Sequence, residues 1–111
     1  MTVIIVDDDA GFRRAARELL EGMGLTVVGE AADGAAARAA CATYRPAGVL
    51  LDVGLPDVSG HALARELSAA FPALRILLTS TDETIGGEAG VAEFVPKIDL
   101  AVSDLAAYFR G

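Results

Sequence analysis

The 111-residue chain has one cysteine, one histidine and no tryptophan, and aromatic residues make up only 5% of it. The lone cysteine, Cys41, excludes an internal disulfide framework and fits a reducing compartment, so a cytoplasmic location is expected. Cys41 lies in an Ala-rich helical stretch, where ordinary burial is the expected fate of a thiol. No Cys/His cluster has zinc-site spacing. His61 has no acidic or cysteine partner at ligand spacing and reads as a surface residue. No apolar run approaches the roughly 20 residues needed to span a bilayer, so no membrane role is expected. The start, MTVIIVDDDAG, has no basic stretch ahead of its apolar run and reads as a first core strand, not a signal peptide. Basic residues are also few, 9 Lys and Arg against 16 acids, for a formal net charge of −7. Such a surface does not attract phosphate backbones, and direct nucleic-acid binding is not expected.

The chain has enough apolar material, 53% hydrophobic residues, for a single packed domain over residues 1–111. It is organised around GVLLDVGLPDVSG, Gly48 to Gly60. Val49, Leu50 and Leu51 form a short, continuously apolar run that suits a strand buried on both faces of a parallel sheet. The run ends on Asp52, at the strand's carboxyl end, where open α/β sheets place their ligands. A strand-closing Asp is more often a turn or a cap, so what converges on it matters.

Val3 to Val6 is a second apolar tetrapeptide, again ending on acids: Asp7, Asp8 and Asp9. Phe12, Ala15, Ala16, Leu19, Leu20 and Met23 then recur at helical spacing. Asp8 or Asp9 can cap that helix, with Asp9 expected to serve only as a cap, and Gly22 or Gly24 can end it. Leu25 to Glu30 reads as a strand near a sheet edge, and Asp33 opens an Ala-rich helix to about Thr43. Ser59 is placed to cap a third helix with Leu63 and Leu67 inward, ending near Pro72. Leu74 to Thr79 is the fourth strand and ends on hydroxyls: Thr79, Ser80 and Thr81. Glu93 to Val95 is a short fifth strand leading to Pro96 and Lys97, and a last helix carries Val102, Leu105, Ala106 and Phe109 on one face. Strands alternating with helices give an α/β domain with a parallel sheet and right-handed crossovers. The expected fold class is flavodoxin-like, a doubly wound (βα)5 with five parallel strands in the order 2-1-3-4-5.

In that order the first and third strands are neighbours, and their carboxyl ends carry Asp7, Asp8 and Asp52. Two unit charges about 4 Å apart cost roughly 4 kcal/mol at an effective dielectric near 20. Such a cluster calls for a cation or for protonation. Mg²⁺ suits one or two carboxylates, waters and a phosphate oxygen. A carboxylate beside bound Mg²⁺ is also a competent nucleophile toward a phosphoryl group, giving an aspartyl phosphate. Thr79 offers a hydroxyl to that product and Lys97 a positive charge.

The segments IIVDDDAGFRRAARELL, VLLDVGLPDVSGHALARELS, ILLTS and EFVPK, in this order across essentially the whole chain, resemble the receiver domain of two-component response regulators. The resemblance implies a signalling module, with no turnover of an outside substrate, phosphorylated by a sensor histidine kinase or a small donor. It implies Asp52 as phosphoacceptor, and Asp7, Asp8, Asp52 and the Gly54 backbone carbonyl as Mg²⁺ ligands. Thr79 becomes the switch hydroxyl, Lys97 the phosphate-contacting lysine and Phe94 the aromatic switch, though Phe94 reads equally well as core packing. Gly54 and Thr81 stand at positions that tune dephosphorylation in the family.

Two departures qualify the match. Ile98 follows Lys97 where many receivers have a proline, and Pro96 stands ready to stiffen the loop instead. Thr79 and Lys97 are only 18 residues apart, leaving room for a shortened fourth helix that Gly86-Gly87 weakens. The fourth helix, fifth strand and fifth helix form the family's usual dimer and target surface, so a homodimer through that face is in question. The chain stops at Gly111, directly after the last helix. Output is therefore expected through a downstream protein target or through an output domain in a longer protein. The rival reading is a receiver-like interaction module that no longer uses phosphate. A phosphatase with an aspartyl nucleophile typically carries it in an Asp-x-Asp motif after the first strand and needs a cap over the site, for which 111 residues leave no room, and a flavin carrier would find DDDAG repelling its phosphate.

Overall fold

Three apolar runs become central strands because each can be buried on both faces of one sheet. A computed structural model describes residues 1–81 and 92–110. The elements are β1 (Thr2–Val6), α1 (Ala10–Gly22), β2 (Thr26–Ala31), α2 (Gly34–Tyr44), β3 (Gly48–Asp52), α3 (Gly60–Ala70), β4 (Arg75–Thr79) and β5 (Glu93–Phe94). A 3₁₀ turn, Lys97–Val102, and a terminal helix, α4 (Leu105–Arg110), complete them. The strand order is β2-β1-β3-β4-β5, with every pair parallel, as the flavodoxin-like reading requires. The shortened fourth helix expected between the fourth and fifth strands falls on residues 82–91, outside the described residues.

Alternation along the strands divides the core in two. Ile4, Val6, Val49, Leu51, Ile76 and Leu78 pack with Ala37, Ala40, Cys41, Leu63 and Leu67 from α2 and α3. Val3, Ile5, Leu50 and Leu77 pack on the opposite face with Ala16 and Leu20 of α1 and with Leu105, Ala106 and Phe109 of α4. Cys41 is buried as expected, and burial pushes its thiol pKa up. Gly48 makes the central strand accessible to α4, since a Cβ there would lie 2.4 Å from Cδ1 of Phe109.

Helix starts follow their caps. The carboxylate of Asp9 accepts from the amides of Gly11 and Phe12, that of Asp33 from Ala36, and the Ser59 hydroxyl from Ala62. One expectation fails at the far end of the chain: Val102 does not share a buried face with Leu105, Ala106 and Phe109 but is 85% exposed. Residues 97–102 form a 3₁₀ turn, and the chain restarts at Asp104, whose carboxylate caps Ala107. That break resets the helical phase, so the spacing from Val102 onward does not measure one face.

Candidate functional site

Strand parity brings the polar residues together. Asp7 continues the Val3, Ile5 side of β1, while Asp52 and Thr79 continue the Leu50 and Leu77 sides of β3 and β4. All three point to the face covered by α1 and α4. Asp52 and Thr79 are register partners across β3 and β4, and Val6 pairs with Leu51 one residue before the acids. The ends are fastened by main-chain bonds: the Asp7 amide donates to Ala31 O at 3.0 Å and the Val53 amide to Thr79 O at 3.1 Å.

Asp7, Asp8 and Asp52 each offer a carboxylate oxygen within 4.8 Å of the others. Asp7 is 1% exposed and Asp52 8%, whereas Asp8 is open to solvent. Burial, reinforced by the charges of Asp7 and Asp8, raises the Asp52 pKa above the usual carboxylate value. Lys97 and the Gly54 amide, which donates to Asp52 Oδ2 at 3.3 Å, oppose that shift without cancelling it. Two or three hard oxygen donors that resist being charged together form a donor set suited to a hard divalent cation.

Lys97 enters from the β5 side. Its amide donates to Ser80 O at 2.9 Å, Pro96 precedes it with φ −57°, and the Asp99 amide donates back to Pro96 O at 2.9 Å. The proline expected to stiffen this loop thus stands at the start of the 3₁₀ turn. The Lys97 Nζ lies 2.6 Å from Asp7 Oδ2, 3.6 Å from Asp52 Oδ1 and 4.0 Å from the centroid of the Phe12 ring. This is the chain's single lysine. Phe12 read only as part of a helical stripe; its ring contact with the ammonium needs tertiary placement that periodicity does not encode.

The Thr79 hydroxyl is fully buried and has no hydrogen-bond partner among the described residues. A buried, unsatisfied hydroxyl at a strand end is costly unless an acceptor arrives. Thr81 is exposed, and Phe94 is half-buried against the core layer of α2 and α3. Gly54 follows Asp52 in a loop closed by a bridge between Gly54 and Ser59. Asp9 is a cap as expected, though its amide also donates to Asp7 Oδ1 at 2.8 Å. His61 is not the surface residue expected: it is half-buried, with Nδ1 enclosed and unpartnered among the described residues. The preceding residue, Gly60, seats the first turn of α3 so close to β3 that a Cβ there would lie 2.5 Å from Asp52 O.

A parallel 2-1-3-4-5 sheet with an acidic pocket at the ends of its first and third strands defines a class of ligand-binding α/β domain. The particular family follows from comparison: residues 3–106 match the response regulator receiver domain, and the chain belongs to that family. It is 35% identical over 120 residues to the probable transcriptional regulatory protein TcrX of Mycobacterium tuberculosis, covering 99% of this chain and 50% of that protein. It is 33% identical over 101 residues to a protein-glutamate methylesterase/protein-glutamine glutaminase of Alkalilimnicola ehrlichii, covering 85% of this chain and 26% of that protein. Among solved structures, the CheY-like receiver domain from Methylobacillus flagellatus superposes with a TM-score of 0.84 at 26% identity, covering 98% of each chain. The chain thus spans a quarter to a half of these two curated relatives. As a receiver domain it fits phosphorylation-switched signalling. Among the described residues no helix is long and apolar enough to cross a membrane.

Proposed function

We propose that Asp52 accepts a phosphoryl group from a sensor histidine kinase or a small phosphodonor, and that the modified pocket relays the signal through protein contacts. The observation that carries this reading is the convergence of three carboxylates, one of them a buried Asp52 of raised pKa, beside a lysine and a buried hydroxyl without a partner. Asp7, Asp8, Asp52 and the Gly54 carbonyl would hold Mg²⁺, which when bound neutralises the carboxylates and the transferring oxygens.

An Asp52 oxygen attacks phosphorus, and the P–N bond of a phosphohistidine or the P–O bond of acetyl phosphate breaks. The leaving imidazole takes a proton from solvent, or acetate leaves as the anion. Thr79 donates its hydroxyl to a phosphoryl oxygen, and Lys97 leaves Asp7 to pair with another. Water later attacks phosphorus, releasing inorganic phosphate and restoring Asp52, so no outside substrate is turned over. Movement of Thr79 and the end of β4 toward the phosphoryl group would let Phe94, on the α2 and α3 side of the sheet, change rotamer and bias the β5–α4 surface. Gly54 and Thr81, beside the phosphoryl position, tune its lifetime. The domain acts in the cytoplasm on a downstream protein or on an output domain of a longer protein, and a homodimer through the β5–α4 side is one form that output can take.

Intact-protein mass after incubation with acetyl phosphate, with and without Mg²⁺, on wild type and Asp52→Asn tests this. The expected result is a Mg²⁺-dependent gain of one phosphoryl group, lost in the variant. No gain in wild type with either acetyl phosphate or a phosphorylated kinase, and no binding of beryllofluoride, would overturn it.

A further inference from the structure

The acidic pocket leaves one carboxylate unexplained. Asp57 belongs to the same loop as Gly54, yet it points away from the other acids. Its Oδ1 accepts from the Gly34 amide at 2.8 Å and its Oδ2 from the Ala35 amide at 3.1 Å. Both oxygens are therefore committed to the first turn of α2, 23 residues away in the chain. These bonds, the Gly34 amide foremost, hold the Asp57 carboxyl below the usual carboxylate range.

The contact is built from both sides. A Cβ on Gly34 would lie 2.4 Å from Val58 Cγ1 and 3.2 Å from Asp57 Oδ1, so only glycine admits the loop this close. Leu55 and Val58 pack partly into the core on either side of Asp57. At the loop's other end the Gly60 amide donates to Val53 O at 2.9 Å. Between these anchors, Val53 to Ser59 carries no regular structure apart from the Gly54–Ser59 bridge.

We propose that Asp57 is a positioning residue for the metal site: it ties the β3–α3 loop to α2 and thereby fixes the Gly54 carbonyl beside Asp52. This rests on the function proposed above. The Asp57 bonds are part-buried and exposed. Water can replace them at the helix end, so their loss costs the fold little. What is lost is the loop's tether, and with it the prepaid ordering of a backbone ligand that no side chain can supply.

The test is Mg²⁺ binding by calorimetry without phosphodonor, together with the Mg²⁺ dependence of acetyl phosphate labelling, on wild type, D57A and D57N. For D57A, half-saturating Mg²⁺ should rise about threefold to tenfold, with the rate at saturating Mg²⁺ kept within about twofold of wild type. D57N, which keeps one acceptor oxygen, should fall between. A merely structural residue would lower the unfolding midpoint in Mg²⁺-free buffer without this split. Equal Mg²⁺ affinities in wild type and D57A overturn the assignment, as does a lower saturated rate at unchanged affinity. If D57A does not fold, D57N decides by the same two outcomes. Failure of wild type itself to bind Mg²⁺ sinks the functional reading and this inference together, whereas binding that is equal in the variants sinks only the inference.

Discussion

Replacing Lys97 by methionine probes the electrostatics of the pocket most directly. The ammonium lies 2.6 Å from Asp7 and 3.6 Å from Asp52. At an effective dielectric near 20, unit charges at those separations attract by about 6 and about 5 kcal/mol. Those gross terms are offset by desolvation, since only 17% of the Lys97 side chain and 1% of Asp7 are exposed. Removing one partner of such a pair leaves the other charge buried and costs about 3–5 kcal/mol. The lower end applies here, because Asp7 keeps the Asp9 amide at 2.8 Å and the acidic cluster can take up a proton. Urea denaturation at neutral pH without Mg²⁺ should therefore show a loss of about 3 kcal/mol for K97M. Two signs accompany that loss. Without the lysine the carboxylates repel one another more, so their protonated forms gain and the deficit shrinks as pH falls. A divalent cation no longer competes with the ammonium for Asp7, so Mg²⁺ binds K97M more tightly and restores part of the loss. A variant as stable as wild type in Mg²⁺-free buffer, or one no further stabilised by Mg²⁺ than wild type, would refute this account.

Other outcomes follow from the same geometry. Burial, with Asp7 and Asp8 adding to it, raises the Asp52 pKa, so the ionised side chain opposes folding. Asp52→Asn should raise the thermal midpoint in Mg²⁺-free buffer at neutral pH. Its advantage is full above the folded-state pKa and gone by about pH 3.9, the ordinary Asp value; an advantage that grew on acidification would contradict this. Gly48→Ala drives a Cβ to 2.4 Å from the fully buried Phe109 ring and should cost about 1–3 kcal/mol. Adding Phe109→Leu should recover part of that loss in a double-mutant cycle, and strict additivity would deny the clash. Gly60→Ala meets backbone, Asp52 O and Val53 Cα at 2.5 Å, which cannot rotate aside. It should reach the upper end of the same range, about 3 kcal/mol, and also slow acetyl phosphate labelling, because the end of β3 must move.

The strands flanking the pocket were legible because they are apolar on both faces and stop abruptly at acids or hydroxyls. Gly48–Asp52 is observed with the bounds its Gly and Asp imply. The second strand was displaced by one residue for a physical reason. Leu25 is as buried as a strand residue, but its amide bonds to Leu20 O at the end of α1, and the ladder begins at Thr26, whose amide reaches Met1 O. Apolarity records burial, not the destination of an amide. Asp57 carries no mark in the sequence for the same cause: its partners belong to a helix start 23 residues earlier, and no local pattern marks a carboxylate that caps another element. Val102 was misplaced because a break in helical phase, which spacing does not encode, decided its exposure.

The nature of the single lysine bears on how the pocket can work. Every other cationic side chain, His61 apart, is an arginine; Arg13 and Arg17 pair with Glu30, and Arg38 with Glu66, at the surface. A guanidinium beside Asp7 and Asp52 would bind them through a rigid two-pronged fork and resist displacement. An ammonium on a four-carbon stem is a point charge that exchanges partners by bond rotation. Here it already has two carboxylates and the face of Phe12 within 4.0 Å. Without metal it neutralises the acids that would otherwise repel one another. On the proposed reading, a divalent cation takes over that task, and the lysine is released to meet the incoming phosphoryl group without ever leaving the pocket. The same charge thus holds the resting state together and is on hand for the product.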